Sequence, residues 1–235
     1  MNNVRNILFF VIGIGLASQS KAQNVSDLPA NSFPFNLSGQ TVKTFDNRYE
    51  GIRGSYTFMD DFQPGIIELK GTLYKNVLIN YDAYTDNVIA KHDKLEGAVQ
   101  LRKDMISRFE LNTSSDGVYA FVKKNVNGVP TFLLTIHEDS VSLYCQVSKT
   151  IKKASMGGAY NTSQTNYDEF ITVNTYYLQQ GKGELMEIQN NKKGVLKALP
   201  NHEKELTDYL KGKKLDFNNY EQMKLLSLYI NEIVR

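Results

Sequence analysis

Between residues 54 and 189 the apolar side chains keep a period near two, broken by turn-forming residues at intervals of roughly 8–12 residues. A period of two puts successive side chains on opposite faces of an extended chain, so this stretch is expected to be strand rather than helix. Ile67 and Leu69 alternate with Glu68 and Lys70. Beyond a turn at Gly71 and Thr72, Lys75, Val77, Ile79 and Tyr81 are expected to face one way, and Tyr74, Asn76, Leu78 and Asn80 the other. Further strands are expected at 55–59, 88–91, 98–101, 107–111, 118–124, 131–136, 141–149, 170–179 and 184–189, with a short one at 40–44. Asn127-Gly128 is a strong signal for a two-residue hairpin, and Gln180-Gly-Lys-Gly for a second. Strand following strand at this spacing favours antiparallel pairing over strand–helix–strand units.

The period changes near Asn190. Asn191 is placed to cap a short helix that Pro200 ends, and Asn201 to cap a second that Gly212 terminates. Asn218 or Asn219 opens a third, where Met223, Leu226, Ile230 and Ile233 fall at helical spacing. The expected fold is therefore mainly β (α+β). An antiparallel β-sandwich or roll over 54–189 is followed by a C-terminal segment of two or three helices over 190–235, packed on it. A split into two domains is the alternative, but so small a helical unit stabilises itself poorly alone.

The N-terminus carries a different message. Arg5 precedes an apolar run over residues 7–17, and Ser20-Lys21-Ala22 supplies small side chains three and one residues before a cut after Ala22. This is the grammar of a secretory signal peptide. A membrane-spanning helix needs roughly 20 apolar residues, more than this run provides. With no Cys directly after the run, a lipoprotein anchor is not expected. Residues 23–53, rich in Asn, Ser and Gly, read as an irregular lead-in. The signal removes Arg5 and Lys21 and no acid, so 27 bases become 25, equal to the 25 acids. A neutral mature chain gives no electrostatic reason to expect a nucleic-acid or anionic-lipid partner. The polar outward strand positions and helical C-terminus argue against an outer-membrane barrel.

Two stretches resemble a known group. One is Pro64-Gly-Ile-Ile-Glu-Leu-Lys-Gly-Thr-Leu-Tyr-Lys-Asn-Val-Leu-Ile-Asn-Tyr-Asp. The other runs from Thr175-Tyr-Tyr-Leu through Lys192-Lys-Gly-Val-Leu-Lys-Ala-Leu-Pro and Lys213-Lys-Leu-Asp-Phe to the closing helix. Together they resemble uncharacterised exported envelope proteins of Bacteroidota type. The resemblance implies a periplasmic or cell-surface location in a Gram-negative bacterium. It brings no activity, cofactor or site residues.

No catalytic or metal-binding residue set emerges from spacing. His92, His137 and His202 lack partners at metal-ligand intervals. His137-Glu138-Asp139 reads as a hairpin tip. Asp60-Asp61 and Asp82 to Asp86 are the densest acids, but they lack the alternation of a calcium loop. Cys145 shares a strand face with Val141, Leu143 and Val147, which points to an inert buried thiol. There is no nucleophile elbow, phosphate loop or zinc-protease motif, and Met156-Gly-Gly reads as a loop tip. The 14 tyrosines, among them Tyr74, Tyr81, Tyr84, Tyr119 and Tyr144, fit strand propensity or a sheet that holds a glycan or peptide. Lys149, Lys152 and Lys153 and the pair Lys213-Lys214 read as solvated faces. The expectation is a non-enzymatic exported envelope protein that binds or scaffolds an unidentified envelope ligand or protein, without cofactor. The alternative is a hydrolase using carboxylates of the 82–87 turn or the polar 152–168 loop. It requires two carboxylates to converge in a cleft.

Overall fold

The computed structural model describes residues 41–43, 49–91, 98–114, 117–154 and 167–235. The signal segment, His92, Met156 and most of the 152–168 loop lie outside the described residues. Among the described residues eleven strands follow in chain order: β1 (Thr41–Lys43), β2 (Gln63–Leu69), β3 (Thr72–Asp82), β4 (Asn87–Lys91), β5 (Ala98–Gln100), β6 (Ile106–Thr113), β7 (Gly117–Val126), β8 (Val129–His137), β9 (Val141–Lys152), β10 (Glu169–Gln180) and β11 (Met186–Ile188). They form one sheet in the order β1-β5-β4-β3-β2-β6-β7-β8-β9-β10-β11. All ten pairings are antiparallel. The chain meanders outward from β2 through β5, returns beside β2 as β6, and meanders away to β11. Asn127 and Gly128 both have positive φ, 50° and 86°, as a type I′ hairpin requires.

The stretch 55–59, expected as a strand, is not one: Thr57 makes only an isolated bridge to Asp82. Side chains take over part of its hydrogen bonding, while Phe58 N still donates to Tyr81 O. Ser55 Oγ accepts from Thr57 N, Thr57 Oγ1 donates to Met59 O, and Asn80 bonds both the N–H and the C=O of Met59. Such local bonds compete with a strand ladder.

The alternation expected in β3 also breaks. Gly65 pairs with Val77 but Ile66 with Lys75, which leaves Asn76 as the extra residue of a bulge, at φ 56°. One inserted residue exchanges the faces on either side of it. Val77, Ile79 and Tyr81 are buried as expected, but before the bulge it is Tyr74, not Lys75, that packs on the core. The opposing position has to be glycine, since a Cβ at Gly65 would lie 2.7 Å from Ile79 Cγ1 and closer still to Glu110 O.

Beyond the bulge the sheet rolls over itself. Lys149 N on β9 donates to Ala83 O, just past β3. Tyr81 packs on Phe109, Phe121 and Phe132, whose strands β6, β7 and β8 lie across the interior. Phe109 and Phe121 stack at 4.7 Å. The main interior cluster also takes in Val195, Leu206, Met223, Leu226 and Ile230 from the helices, and Leu133, Tyr144 and Tyr177 form a smaller one.

Those helices are α1 (Lys192–Ala198), α2 (Glu203–Leu210) and α3 (Tyr220–Val234). Asn191 caps α1 through Gly194 N, and Asn219 caps α3 through Gln222 N. Asn201 does not cap α2, because Pro200 starts a 3-10 turn that absorbs it and leaves His202 at the cap position without a side-chain bond. Leu215 and Phe217, between α2 and α3, pack on the core as their apolar character requires.

Candidate functional site

Of the carboxylates singled out by sequence, Asp60 and Asp61 are exposed, whereas those of the 82–87 turn and Asp168 hold the fold. Asp82 is fully buried, and its Oδ1 accepts from Tyr84 N and Thr85 N, shaping the turn. Asp86 gathers Tyr81 Oη–H at 2.8 Å, Lys103 Nζ at 2.5 Å and Phe132 N at 3.3 Å, tying β3 to β8. Asp168 is held by Lys153 Nζ and Ala154 N, which keep its carboxyl below the usual range. At the β8–β9 tip, Glu138 accepts from Tyr144 and Asp139 from Ser140 N and Arg235. His137, Glu138 and Asp139 thus do not act as one group. Among the described residues no three His, Cys, Asp or Glu side chains gather as metal ligands.

The tyrosines do not line one platform either. Tyr81 and Tyr144 are buried, whereas Tyr84 stands in an aromatic cluster with Tyr49 and Phe170. Lys152, Lys153, Lys213 and Lys214 are exposed, as expected of solvated faces, and Lys149 is half-buried. Lys149 is drawn in to Thr172, Lys153 pairs with Asp168, and Lys213 sits 3.2 Å over the Tyr209 ring.

Apolar and neutral polar side chains instead converge on a recess of about 190 Å³ between β8, β9, β10 and the start of α3. Period-two geometry builds its floor: Leu134 and Ile136, Cys145 and Val147, and Thr172, Asn174 and Tyr176 are alternate residues of adjacent strands. The pairs Leu134–Cys145, Val147–Asn174 and Cys145–Tyr176 lie directly opposite in register. Phe58 and Tyr119, edge to face at 5.1 Å, form a wall that Tyr220 continues. Phe58 N donates to Tyr81 O, which ties this wall to β3.

Three local features set the chemistry of the recess. Burial pushes the Cys145 thiol up to about 12, so it stays protonated at neutral pH, in keeping with the inert thiol expected from sequence. Burial likewise raises the Tyr176 phenol, which donates to Phe217 O. Asn174 is the unusual member. Its Nδ2 donates to Asn218 Oδ1 over a long 3.3 Å, while its Oδ1 is buried without a hydrogen-bond donor. At the edge, Lys149 Nζ donates to Thr172 Oγ1, and burial lowers the ammonium pKa. Sequence reasoning missed Asn174 and Phe58. Asn174 does stand out as a polar residue at a core-facing position, between Thr172 and Tyr176. Phe58 has no such signal.

A second hollow, of about 550 Å³, lies between the β7–β8 and β10–β11 hairpin tips. Its polar groups shape the turns: Asn125 Oδ1 accepts from Gly128 N, and Gln179 Nε2 donates to Gly183 O. Among the described residues, no helix is long and apolar enough to cross a membrane. Compared with protein families, curated proteins and solved structures, the chain matches none.

Proposed function

We propose that this chain is an exported, non-enzymatic binding module of the cell envelope, with the recess between β8, β9, β10 and α3 as its receiving surface. The observation that carries this reading is the recess itself. It is a concave apolar patch with a few convergent polar groups, the lining typical of a small-molecule site, in a volume smaller than the usual ~300 Å³ or more. Its polar lining is neutral: Thr172, Asn174, Asn218 and tyrosine hydroxyls. Such groups orient a ligand but provide no acid–base pair of the kind hydrolysis needs. The export grammar of residues 1–22 and the neutral charge of what remains support work outside the cytoplasm. The resemblance to exported Bacteroidota-type proteins points the same way.

Two measurements test the reading. Cell fractionation with N-terminal sequencing is expected to find a chain starting at Gln23 in the envelope or periplasm. Intact Met1 chain confined to the cytosol would overturn export. For the site, amide spectra of the purified mature chain with a mixture of small fragments should shift residues of the recess. Turnover of an envelope polymer, stopped by a substitution in the recess, would establish the hydrolase instead.

A further inference from the structure

Resting on that reading, we infer that the recess takes a neutral single-ring aromatic molecule carrying one hydrogen-bond donor, a phenol-like ligand oriented by Asn174. Size comes first. An apolar cavity of about 150 Å³ accommodates benzene, and this one measures about 190 Å³. One ring with a small substituent fits; a sugar chain or fused polycycle does not. Shape and chemistry agree, since Phe58, Tyr119 and Tyr220 offer ring faces and edges, and aromatic pairs prefer edge-to-face or offset contact.

The donor follows from Asn174. A buried carbonyl oxygen without a donor is costly, and the fold leaves this one unpaired. The terminal torsion of asparagine is broad, so rotation of the amide can turn Oδ1 toward the recess in exchange for the Nδ2 bond to Asn218. Among the described residues, the side-chain bond of the amide that resists this rotation is the long one to Asn218. A ligand hydroxyl would then meet the need that the protein leaves open. Neutrality follows from the walls, which are apolar side chains, uncharged amides and hydroxyls. The cation Lys149 stands at the edge and is already bonded to Thr172.

The test uses the mature chain and four probes: p-cresol, toluene, anisole and benzoate. Dissociation constants come from amide-shift titrations followed at recess residues. p-Cresol is expected to bind about tenfold tighter than toluene, the margin one satisfied buried acceptor supplies. Anisole, an acceptor without a donor, should bind no better than toluene. Asn174→Leu should remove the difference between p-cresol and toluene while retaining both. Val147→Phe, which fills the floor, should weaken every probe. Equal binding of p-cresol and toluene by the unaltered protein would overturn the donor assignment, and that comparison needs no variant to fold. Benzoate binding tighter than p-cresol would overturn neutrality in favour of Lys149. If no probe shifts the recess, or Val147→Phe changes nothing, the recess is not the receiving surface and the broader reading falls with it.

Discussion

Asn231 on α3 takes both backbone groups of Val141 at the start of β9. Val141 N donates to Asn231 Oδ1 at 2.8 Å, and Asn231 Nδ2 donates back to Val141 O at 2.7 Å. The same Nδ2 also reaches Ser227 O within the helix. The amide acts as one more residue of sheet edge, carried on a helix 90 positions later in the chain. Asn231→Leu keeps the branched shape but leaves two buried backbone groups unpaired. The expected loss is about 2–4 kcal/mol in urea denaturation. A loss below about 0.5 kcal/mol would mean that α3 docks through its apolar face alone.

The Tyr81–Asp86 pair predicts a graded series. Tyr81→Phe removes one donor and keeps the ring stack, and should cost about 1 kcal/mol. Asp86→Asn preserves an acceptor and tolerates the left-handed backbone at φ 54°, so it tests the charge facing Lys103 at a similar cost. Asp86→Ala leaves the Tyr81 hydroxyl and Phe132 N–H without acceptors and adds backbone strain, for a cost of about 3 kcal/mol. The Tyr81→Phe, Asp86→Ala double variant should lose less than the sum of the singles. Strict additivity would show that the two side chains do not depend on each other.

Cys145 predicts an alkaline effect. Its thiol is raised to about 12 in the folded chain by burial, whereas an exposed thiol titrates near ~8.5. A group raised on folding contributes stability that is complete below its unfolded pKa and lost as pH climbs toward the folded one. Stability should therefore decline between about pH 8.5 and 12 with a component that Cys145→Ala lacks. The native thiol should also resist alkylation at pH 8 until denaturant is added. Rapid native labelling would place the sulfur in contact with solvent.

Much of the fold is legible along the chain because β-strand geometry is local. Val141, Leu143, Cys145 and Val147 alternate with more polar neighbours and all are buried. Asn127-Gly128 turns where its backbone preference demands. Asn191 and Asn219 cap the helices that follow them. The errors also have local causes. The bulge at Asn76 moved Tyr74 into the core, and the side-chain bonds of Ser55, Thr57 and Asn80 dissolved an expected strand. The recess was not legible, because its walls come from residues as far apart as Phe58 and Tyr220.

Sequence alone established an antiparallel, strand-rich body with a helical C-terminal segment, because side-chain period and turn chemistry act between near neighbours. It did not establish that the sheet is one continuous roll, nor that Asn174 is left with an unpaired oxygen beside a ring-sized hollow. Those depend on which distant strands meet and in what register. A polar residue on a strand face looks the same in sequence whether its oxygen finds a donor across the fold or, as at Asn174, does not.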